Sequence, residues 1–205
     1  HKGAQKLLYA FGKPVAAPSA NPSGQISPST ADHVIHGLGE DVGFVLDGGP
    51  CESGLESTII DCTGQNARLL RPGGITREAI ATALSEAGHD PTITIAPPLD
   101  DWTKPIAPGQ LKSHYAPRAT LRVAAKTWQR GEEMIGFGEI NGAGKLGLNL
   151  SPSGNLVEAA ANLFSMLHAA DATSTDKIAI APIPDTGLGE AINDRLRRAA
   201  APRPD

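Results

Sequence analysis

The chain of 205 residues is predicted to be an α/β protein with a mixed sheet, because both its composition and its pattern of apolar residues favour that class. Apolar residues make up 40% of the chain, charged residues 20% and aromatic residues 4%, which is typical of a folded protein rich in Ala and Gly. Short segments rich in β-branched residues alternate with segments of helical apolar spacing that end at Gly. The length favours one or two domains.

Three elements are predicted at the start of the chain. Residues 4–11 form a helix that ends at a glycine, and residues 14–17 read as a short buried strand. A second helix over 31–38 has apolar residues at i, i+3, i+4 and i+7, and either Ser27 or Ser29 can cap it. The polar segment between the strand and this helix then lies at the carboxyl end of the strand, where α/β sheets often bind ligands.

The next region is predicted to contain three strands and a helix. Residues 42–47 and 53–61 are expected to pair as a hairpin-like unit, since Gly and Pro separate them. Residues 67–71 form a further strand, and Thr76 caps a helix over 77–87.

Residues 89–118 are predicted to be a linker, because Pro is frequent there and helical spacing is missing. A second unit follows, with the element order β-β-β-α-β-α, which predicts a small open sheet with helices packed on it. Its strands are expected over 120–124, 133–137, 145–150 and 177–181, and its helices over 156–170 and 189–199. The glycines between 136 and 144 do not match a phosphate-binding loop and are interpreted as a turn-rich connection.

Charge and composition exclude several functions. A formal net charge of −4 argues against a protein that coats nucleic acid. No apolar run approaches the roughly 20 residues of a membrane span, and no secretory signal is recognisable, so we expect a cytoplasmic protein without membrane contact. The chain begins at His1 rather than Met, and we expect it to be a fragment or a processed chain.

No metal site is predicted. Cys51 and Cys62 lack the paired spacing of a zinc site and are interpreted as free thiols in a reducing compartment. His33 and His36 lie on one predicted helix without i, i+4 spacing, so we interpret them as solvated or capping residues.

Two groups of polar residues and one arginine are candidates for ligand binding. Residues 19–28 place hydroxyls and backbone donors on a loop stiffened by Pro, which suits phosphate or carboxylate recognition, although an ordinary surface loop before a helix looks the same. Ser57 and Thr58 could face a ligand or a neighbouring strand, and the structural role is the first interpretation. Arg71, at a strand end beside glycines, could bind phosphate or form a surface salt bridge.

Several motifs, in order, resemble the long form of the YrdC-like family, the threonylcarbamoyl-AMP synthases. They are SANPSG at 19–24, LDGGP at 46–50, GLEST at 54–58, LRPG at 70–73 and HYAP at 114–117. Further matches to the domain appended in that long form are NLSPSG at 149–154, LF at 163–164, PIP at 182–184 and GLG at 187–189. The resemblance covers essentially the whole chain.

The resemblance implies a partial YrdC-like domain followed by a small Rossmann-like α/β domain. Residues 1–88 would be the C-terminal part of the catalytic domain, 89–118 an interdomain linker and lid, and 119–205 the appended domain. The family's N-terminal section, with a threonine-binding loop and basic residues for the triphosphate, would precede residue 1. We therefore expect these 205 residues alone to have little or no activity.

In that family the enzyme, a nucleotidyltransferase, condenses L-threonine, bicarbonate and ATP into threonylcarbamoyl-AMP and pyrophosphate, for the N6-threonylcarbamoyladenosine modification of tRNA. The resemblance assigns no catalytic nucleophile. Magnesium would arrive with ATP rather than in a dedicated protein site. It assigns ATP contacts to Ser19, Asn21, Ser27, Arg71 and Tyr115, threonine contacts to Ser57 and Thr58, and a lid to His114 and Tyr115.

The expected partners are the small-molecule substrates, with a downstream tRNA-modifying complex as a candidate, and we expect a monomer. The alternative is an RNA-binding YrdC-like module without catalysis, which the acidic balance disfavours; direct RNA binding is left open. A related carbamoyl-adenylate step in hydrogenase maturation is disfavoured because that family carries clusters of Cys, whereas this chain has two isolated ones.

Overall fold

The computed structural model describes residues 1–95, 107–108 and 111–203, and it confirms the predicted α/β class. The other residues of the predicted linker, 96–106 and 109–110, lie outside the described residues. The helices are α1 (Lys2–Phe11), α2 (Ala31–Leu38), α3 (Arg77–Glu86), α4 (Leu156–Asp171) and α5 (Leu188–Ala199). The strands are β1 (Ile59–Asp61), β2 (Ala67–Arg71), β3 (Ile93–Ile95), β4 (Thr120–Arg122), β5 (Glu133–Ile135) and β6 (Lys177–Ile180).

The first sheet is mixed and has the order β1-β2-β3. β1 pairs antiparallel with β2, with Ile60 opposite Leu69, and β2 pairs parallel with β3. β3 belongs to the sequence assigned to the linker, so the beginning of that segment is a sheet strand. The division into residues 1–88, 89–118 and 119–205 stays a prediction, and we keep the names N-terminal unit, linker and C-terminal unit for these ranges.

Two of the strands predicted for the N-terminal unit do not form. Residues 14–17 and 42–47 are not in any strand, and the expected hairpin between 42–47 and 53–61 is replaced by the pairing of β1 with β2. A β-branched segment becomes a strand only when a neighbour accepts its backbone hydrogen bonds. Within the described ranges no strand pairs with either segment.

The cap of α2 also differs from the prediction. Thr30, rather than Ser27 or Ser29, is the N-cap, and its Oγ1 accepts a hydrogen bond from the His33 backbone N–H at 3.2 Å. Ser27 and Ser29 are buried instead, with 6% and 4% exposure. Neither serine therefore caps α2.

The second sheet is fully parallel and has the order β4-β6-β5, with α4 and α5 packed on it. The strand predicted over 145–150 does not form, and only an isolated parallel bridge joins Asn149 to Gly136. The carboxylate of Glu133 accepts hydrogen bonds from the backbone N–H groups of Lys145 and Leu146, both at 2.9 Å, which turns the chain there.

The main core lies in the C-terminal unit. Its fully buried side chains include Leu163 and Leu167 of α4, Ile178 and Ile180 of β6, and Ile192 of α5. Burying each such side chain contributes about 1.5–3 kcal/mol. No helix in the described part of the chain has both the length and the apolar character that a membrane span requires.

The two units are in direct contact. Gly54 has a φ of 61°, and a Cβ at this residue would lie 2.0 Å from the carbonyl oxygen of Ala160 on α4. His33 of α2 stacks on His168 of α4 with ring centroids 3.9 Å apart. Only glycine allows the 54–56 segment to approach α4 this closely.

Candidate functional site

A cavity of about 650 Å³ lies between the loop over 19–29, the segment over 48–56 and α4. Ser19 and Ser27, both predicted to contact ATP, line its wall, as does Phe164 of α4. A volume of this size falls within the range of small-molecule pockets. The remaining lining residues are His1, Ala20, Pro28, Ser29, Gly48, Gly49, Pro50, Cys51, Glu52, Ser53, Gly54, Leu55 and Glu56.

Asn21 shapes the loop from within. Its side-chain Nδ2 donates to the carbonyl oxygens of Pro22 at 3.0 Å and Gln25 at 3.2 Å, across a turn that contains Gly24. Its Oδ1 is buried and has no hydrogen-bond partner among the described residues. The amide therefore holds the turn and keeps one acceptor unused.

Glu56 connects the cavity wall to the C-terminal unit. The Ser27 hydroxyl donates to Oε1 of Glu56 at 2.8 Å, and Nε of Arg195 donates to Oε2 at 2.8 Å. Burial by itself raises the pKa of the Glu56 carboxyl, but the charge and hydrogen bond of Arg195 and the bond from Ser27 outweigh it, so this pKa lies below its usual value. Glu56 is thus a carboxylate at neutral pH.

The ionised state of Glu56 decides how Ser27 can meet a ligand. A hydroxyl has one hydrogen to donate, and Ser27 donates it to Glu56. What Ser27 presents to the cavity is therefore its lone pairs, which accept a hydrogen bond from a ligand N–H or O–H.

Arg71 and Ser57 form a second cluster. Nε and Nη2 of Arg71 donate to the carbonyl oxygen of Ser57 at 3.0 and 2.8 Å, and Nη2 also donates to the Ser57 hydroxyl at 3.0 Å. Arg71 is 7% exposed, so it fixes the backbone at Ser57 from within the fold. Thr58 faces away from this cluster, since its hydroxyl donates to the carbonyl of Ile75 at 2.6 Å and accepts from the Ile75 N–H at 3.0 Å.

Tyr115 is packed inside the protein. It is 1% exposed and has a φ of 62°, which is unusual for a bulky residue. Its ring lies 4.0 Å from the ring of His114 and 5.6 Å from that of Phe164, measured between centroids. The next residue, Ala116, donates its N–H to the carbonyl of Gly24 at 2.9 Å, so the linker is bonded to the loop over 19–29.

Burial shifts the titration of this aromatic pair. It raises the pKa of Tyr115, and it lowers the pKa of His114. Nδ1 of His114 is buried without a hydrogen-bond partner among the described residues. A neutral imidazole and a neutral phenol are therefore held side by side.

The predicted site residues fall into neighbouring groups rather than one pocket. Ser19 and Ser27 line the cavity. Ser57, next to Glu56 in the chain, is bonded to Arg71 of β2. The ring of Tyr115 packs on Phe164, and that of His114 packs on Tyr115. Among the described residues, no group of three or more His, Cys, Asp or Glu side chains is arranged to hold a metal ion.

Sequence reasoning missed Glu56 and Arg195 as site residues. Glu56 was part of the GLEST motif, but no role was assigned to it. Arg195 lies on the same face of α5 as Ile192 and Leu196, and a charge within an apolar stripe is a signal of a buried partner that the pattern did offer.

Two family models together match most of the chain. The model described as "Threonylcarbamoyl-AMP synthase, C-terminal domain" matches residues 75–201. The Sua5–YciO–YrdC model, described as "Telomere recombination", matches residues 1–73.

Two similar proteins extend over nearly the whole chain. A threonylcarbamoyl-AMP synthase of Bacillus subtilis is 35% identical over 218 residues, which covers 99% of this chain and 62% of that protein. A threonylcarbamoyl-AMP synthase of Pyrococcus abyssi is 36% identical over 221 residues, with the same coverage of 99% and 62%. The chain therefore spans less than two thirds of the length of these relatives.

Solved structures resemble the fold as well. Crystallised P. abyssi Sua5 in complex with L-threonine superimposes with a TM-score of 0.81 at 32% identity, covering 98% of this chain and 62% of that one. A variant of P. abyssi Sua5 in which a His and the adjacent Tyr are replaced by Ala superimposes with a TM-score of 0.74 at 30% identity, covering 98% and 60%. Sequence motifs, fold and relatives agree, and the chain belongs to the threonylcarbamoyl-AMP synthase family.

Proposed function

We propose that the protein is an L-threonylcarbamoyladenylate synthase, a nucleotidyltransferase that uses L-threonine, bicarbonate and ATP. Threonine and bicarbonate condense to a carbamate with loss of water, a carbamate oxygen attacks the α-phosphorus of ATP, and pyrophosphate leaves. The product serves the N6-threonylcarbamoyladenosine modification of tRNA in the cytoplasm. The observation that carries the proposal is the 35% identity to a threonylcarbamoyl-AMP synthase over 99% of this chain.

The geometry fits a reaction driven by positioning rather than by a covalent nucleophile. Bringing a carboxylate oxygen and a phosphorus atom together needs a shaped cavity and fixed polar groups. The loop over 19–29 is such a wall, since Asn21 fixes its turn and Ala116 is bonded to Gly24. Ser27 would accept a hydrogen bond from the nucleotide, and Ser19 would contact it from the same wall.

Threonine recognition is assigned to the Ser57 region. The structure of P. abyssi Sua5 with L-threonine supports an amino-acid substrate for this family. Arg71 would act there by fixing the Ser57 carbonyl and hydroxyl, so that the exposed side of Ser57 stays available. Thr58 would contribute through its backbone, because its hydroxyl is bonded to Ile75.

His114 and Tyr115 would belong to the linker segment that forms the lid, with the ring of Tyr115 packed on Phe164 of the cavity wall. They are the only His-Tyr dipeptide of this chain, and a His-Tyr pair was replaced by Ala in the P. abyssi Sua5 variant. A closed lid would exclude water from a mixed anhydride that hydrolyses readily.

Magnesium would enter with the triphosphate. Two carboxylates, Glu52 and Glu56, line the cavity, but both oxygens of Glu56 are already bonded to Ser27 and Arg195. The residues present therefore fit a metal bound mainly through the phosphates.

The direct test is product formation by the 205-residue chain and, in parallel, by the protein expressed from its complete gene. Labelled bicarbonate should enter threonylcarbamoyl-AMP, with pyrophosphate release that requires both threonine and bicarbonate. Pyrophosphate release independent of threonine would contradict the proposal. Robust turnover by the 205 residues alone would contradict the expectation that this chain is nearly inactive by itself.

The RNA-binding alternative predicts a different result. A module without catalysis should shift tRNA in a gel without ATP, and the shift should weaken steeply with salt. A shift together with the failure of product formation would favour it over the synthase.

A further inference from the structure

We propose that Arg195 is a positioning residue of the candidate site, which fixes the Glu56 carboxylate and the Tyr115 ring from the C-terminal unit. The inference deepens the proposed function and, for its kinetic test, rests on it. Arg195 is not among the residues that line the cavity, so it is not a catalytic residue. It acts through Glu56, which lines the cavity, and through Tyr115, which packs on Phe164 of the cavity wall.

The guanidinium of Arg195 is held on two sides. Its Nε lies 2.8 Å from Oε2 of Glu56, and its Nη1 lies 2.7 Å from Oδ2 of Asp194. Its side chain is 1% exposed, whereas those of Glu56 and Asp194 are 21% and 13% exposed. The charge therefore lies deeper than either of its partners, at the contact between the two units.

Glu56 links Arg195 to Ser27 on the cavity wall. One of its oxygens is bonded to Arg195, and the other accepts the Ser27 hydroxyl. With both oxygens held, the carboxylate cannot rotate, and the Ser27 hydroxyl has one orientation. Without Arg195, the carboxylate could turn away and Ser27 could donate elsewhere.

Arg195 also contacts the ring of Tyr115. The Cζ atom of Arg195 lies 5.2 Å from the centroid of the Tyr115 ring, within the range of a cation–π contact. A positive φ at Tyr115 is unfavourable and persists only where the surroundings enforce it. Arg195 is one of the groups that enforce it.

The far end of the ion-pair chain is attached to the linker. Arg198 pairs with Oδ1 of Asp194 at 3.1 Å, and its Nη1 donates to the carbonyl of Leu111 at 2.8 Å. The Arg198 carbonyl accepts the N–H of His114 at 3.2 Å. The ion pairs of Arg198, Asp194, Arg195 and Glu56 thus connect the linker to the cavity wall, and their four charges sum to zero.

Stability alone does not account for a guanidinium at this place. Nη2 of Arg195 is buried and has no hydrogen-bond partner among the described residues, which carries a desolvation cost. A buried ion pair is often no more stabilising than apolar residues of the same volume. What an apolar residue could not do is orient Glu56 and Tyr115 together.

The test compares Arg195→Met and Arg195→Lys with Arg197→Met in the protein expressed from its complete gene. Arg197 is a matched control because it lies on the same helix, 59% exposed, with one carboxylate contact at 4.0 Å. Met keeps the length of the side chain and removes its charge, while Lys keeps the charge and loses the planar fork. If Arg195→Met fails to fold, Arg195→Lys provides the same comparison.

The first measurement is amide hydrogen exchange without any substrate. Arg195→Met should speed exchange at the hydrogen-bonded amides of Gln25, Ser29, His114 and Ala116 by about tenfold or more, as expected for the loss of a charged hydrogen bond, with a smaller effect for Arg195→Lys. Arg197→Met should leave these amides unchanged. Faster exchange confined to α5, or equal throughout the protein, would overturn the proposal.

The second measurement is steady-state kinetics well below the melting midpoint of each variant. The KM for ATP should rise about tenfold in Arg195→Met, with a smaller change in kcat, because the contact positions the bound nucleotide. An unchanged KM, or the same change in Arg197→Met, would overturn the proposal. If the unmodified protein forms no threonylcarbamoyl-AMP, the proposed function fails and hydrogen exchange alone decides the role of Arg195.

Discussion

At the scale of single residues, the two arginines of the site differ from ordinary surface arginines in what they bond. Arg71 donates to the Ser57 carbonyl through two nitrogens, and Arg195 bridges two carboxylates. Both are more than nine-tenths buried. Each therefore fixes a neighbour whose position decides the shape of the site.

Replacing Arg71 tests the first of these contacts. Arg71→Lys loses the planar fork on Ser57 and should lower the free energy of unfolding by about 1–3 kcal/mol. Under the proposed function it should also raise the KM for threonine. Urea unfolding and substrate titration measure the two effects. The control is Arg68→Lys on the same strand, whose side chain is 43% exposed and which should change neither; equal losses in both variants would contradict the assignment.

A second residue-scale prediction concerns Gly54. Gly54→Ala meets both an unfavourable φ of 61° and the backbone of α4, so it should destabilise the protein by about 2–3 kcal/mol or more. The matched control is Gly12→Ala, where φ is 65° and ψ is 13° but no atom lies within 4 Å of the added Cβ, and the cost should be about 1 kcal/mol. Thermal unfolding of both variants gives the comparison, and equal costs would mean that the contact with α4 is not needed.

How much of the site the sequence reveals depends on how far apart the interacting residues lie along the chain. Ser19, Ser27, Ser57 and Arg71 lie in local motifs, which is why the sequence offers them as candidates, and Ser19 and Ser27 line the cavity. The Glu56–Arg195 pair joins residues 139 positions apart, and periodicity in α5 shows only that Arg195 shares an apolar face. Neither partner indicates the other without the fold.

At the scale of elements, helices were predicted better than strands. A helix satisfies its own hydrogen bonds, so apolar spacing and a capping residue define it locally, as in α3 with Thr76. A strand needs a partner. Residues 14–17 and 42–47 have suitable composition but no ladder within the described chain, and over 145–150 only Asn149 forms an isolated bridge, with Gly136. In the last case the Glu133 carboxylate takes the backbone donors at 145 and 146.

The contact between α2 and α4 should depend on pH. The rings of His33 and His168 stack, and Nε2 of His168 lies 3.1 Å from the carbonyl oxygen of Ser27. Burial is the main cause that lowers the pKa of both histidines. Asp32 opposes the shift at His33 and His36 adds to it, whereas at His168 the neighbouring His33 adds to the shift and the Ser27 carbonyl and Asp171 oppose it. In the unfolded chain the histidines bind protons near their ordinary pKa of about 6.5.

Stability should therefore fall as the pH drops below about 6.5, because the unfolded state then binds more protons than the folded state. The measurement is urea unfolding between pH 8 and pH 5. A His33→Gln, His168→Gln double variant should show a shallower decline, with a residual slope from His114, whose pKa is also lowered by burial. His89→Gln, an exposed histidine outside α2 and α4, is the control. An unchanged slope in the double variant would contradict a role for the stack.

At the scale of the whole molecule, the two units differ in how many apolar side chains they bury. The buried residues of the C-terminal unit form one cluster that spans its sheet and both of its helices. In the N-terminal unit α1, α2 and α3 have no buried residue, and large apolar side chains such as Tyr9 and Phe44 are 86% and 82% exposed. Since apolar burial is the main source of stability, the units should open with different free energies.

Amide hydrogen exchange on the 205-residue chain tests this inequality. Amides of β5, β6 and α4 should be protected most, and those of α1, α2 and α3 should exchange much faster. Leu163→Ala, in the buried core, should cost about 2–5 kcal/mol and lower protection across the C-terminal unit. Leu84→Ala on half-buried α3 is the matched control and should affect the N-terminal unit alone. Uniform protection in the unmodified chain would mean that the contacts at Gly54, Glu56 and His33 join both units into one cooperative fold.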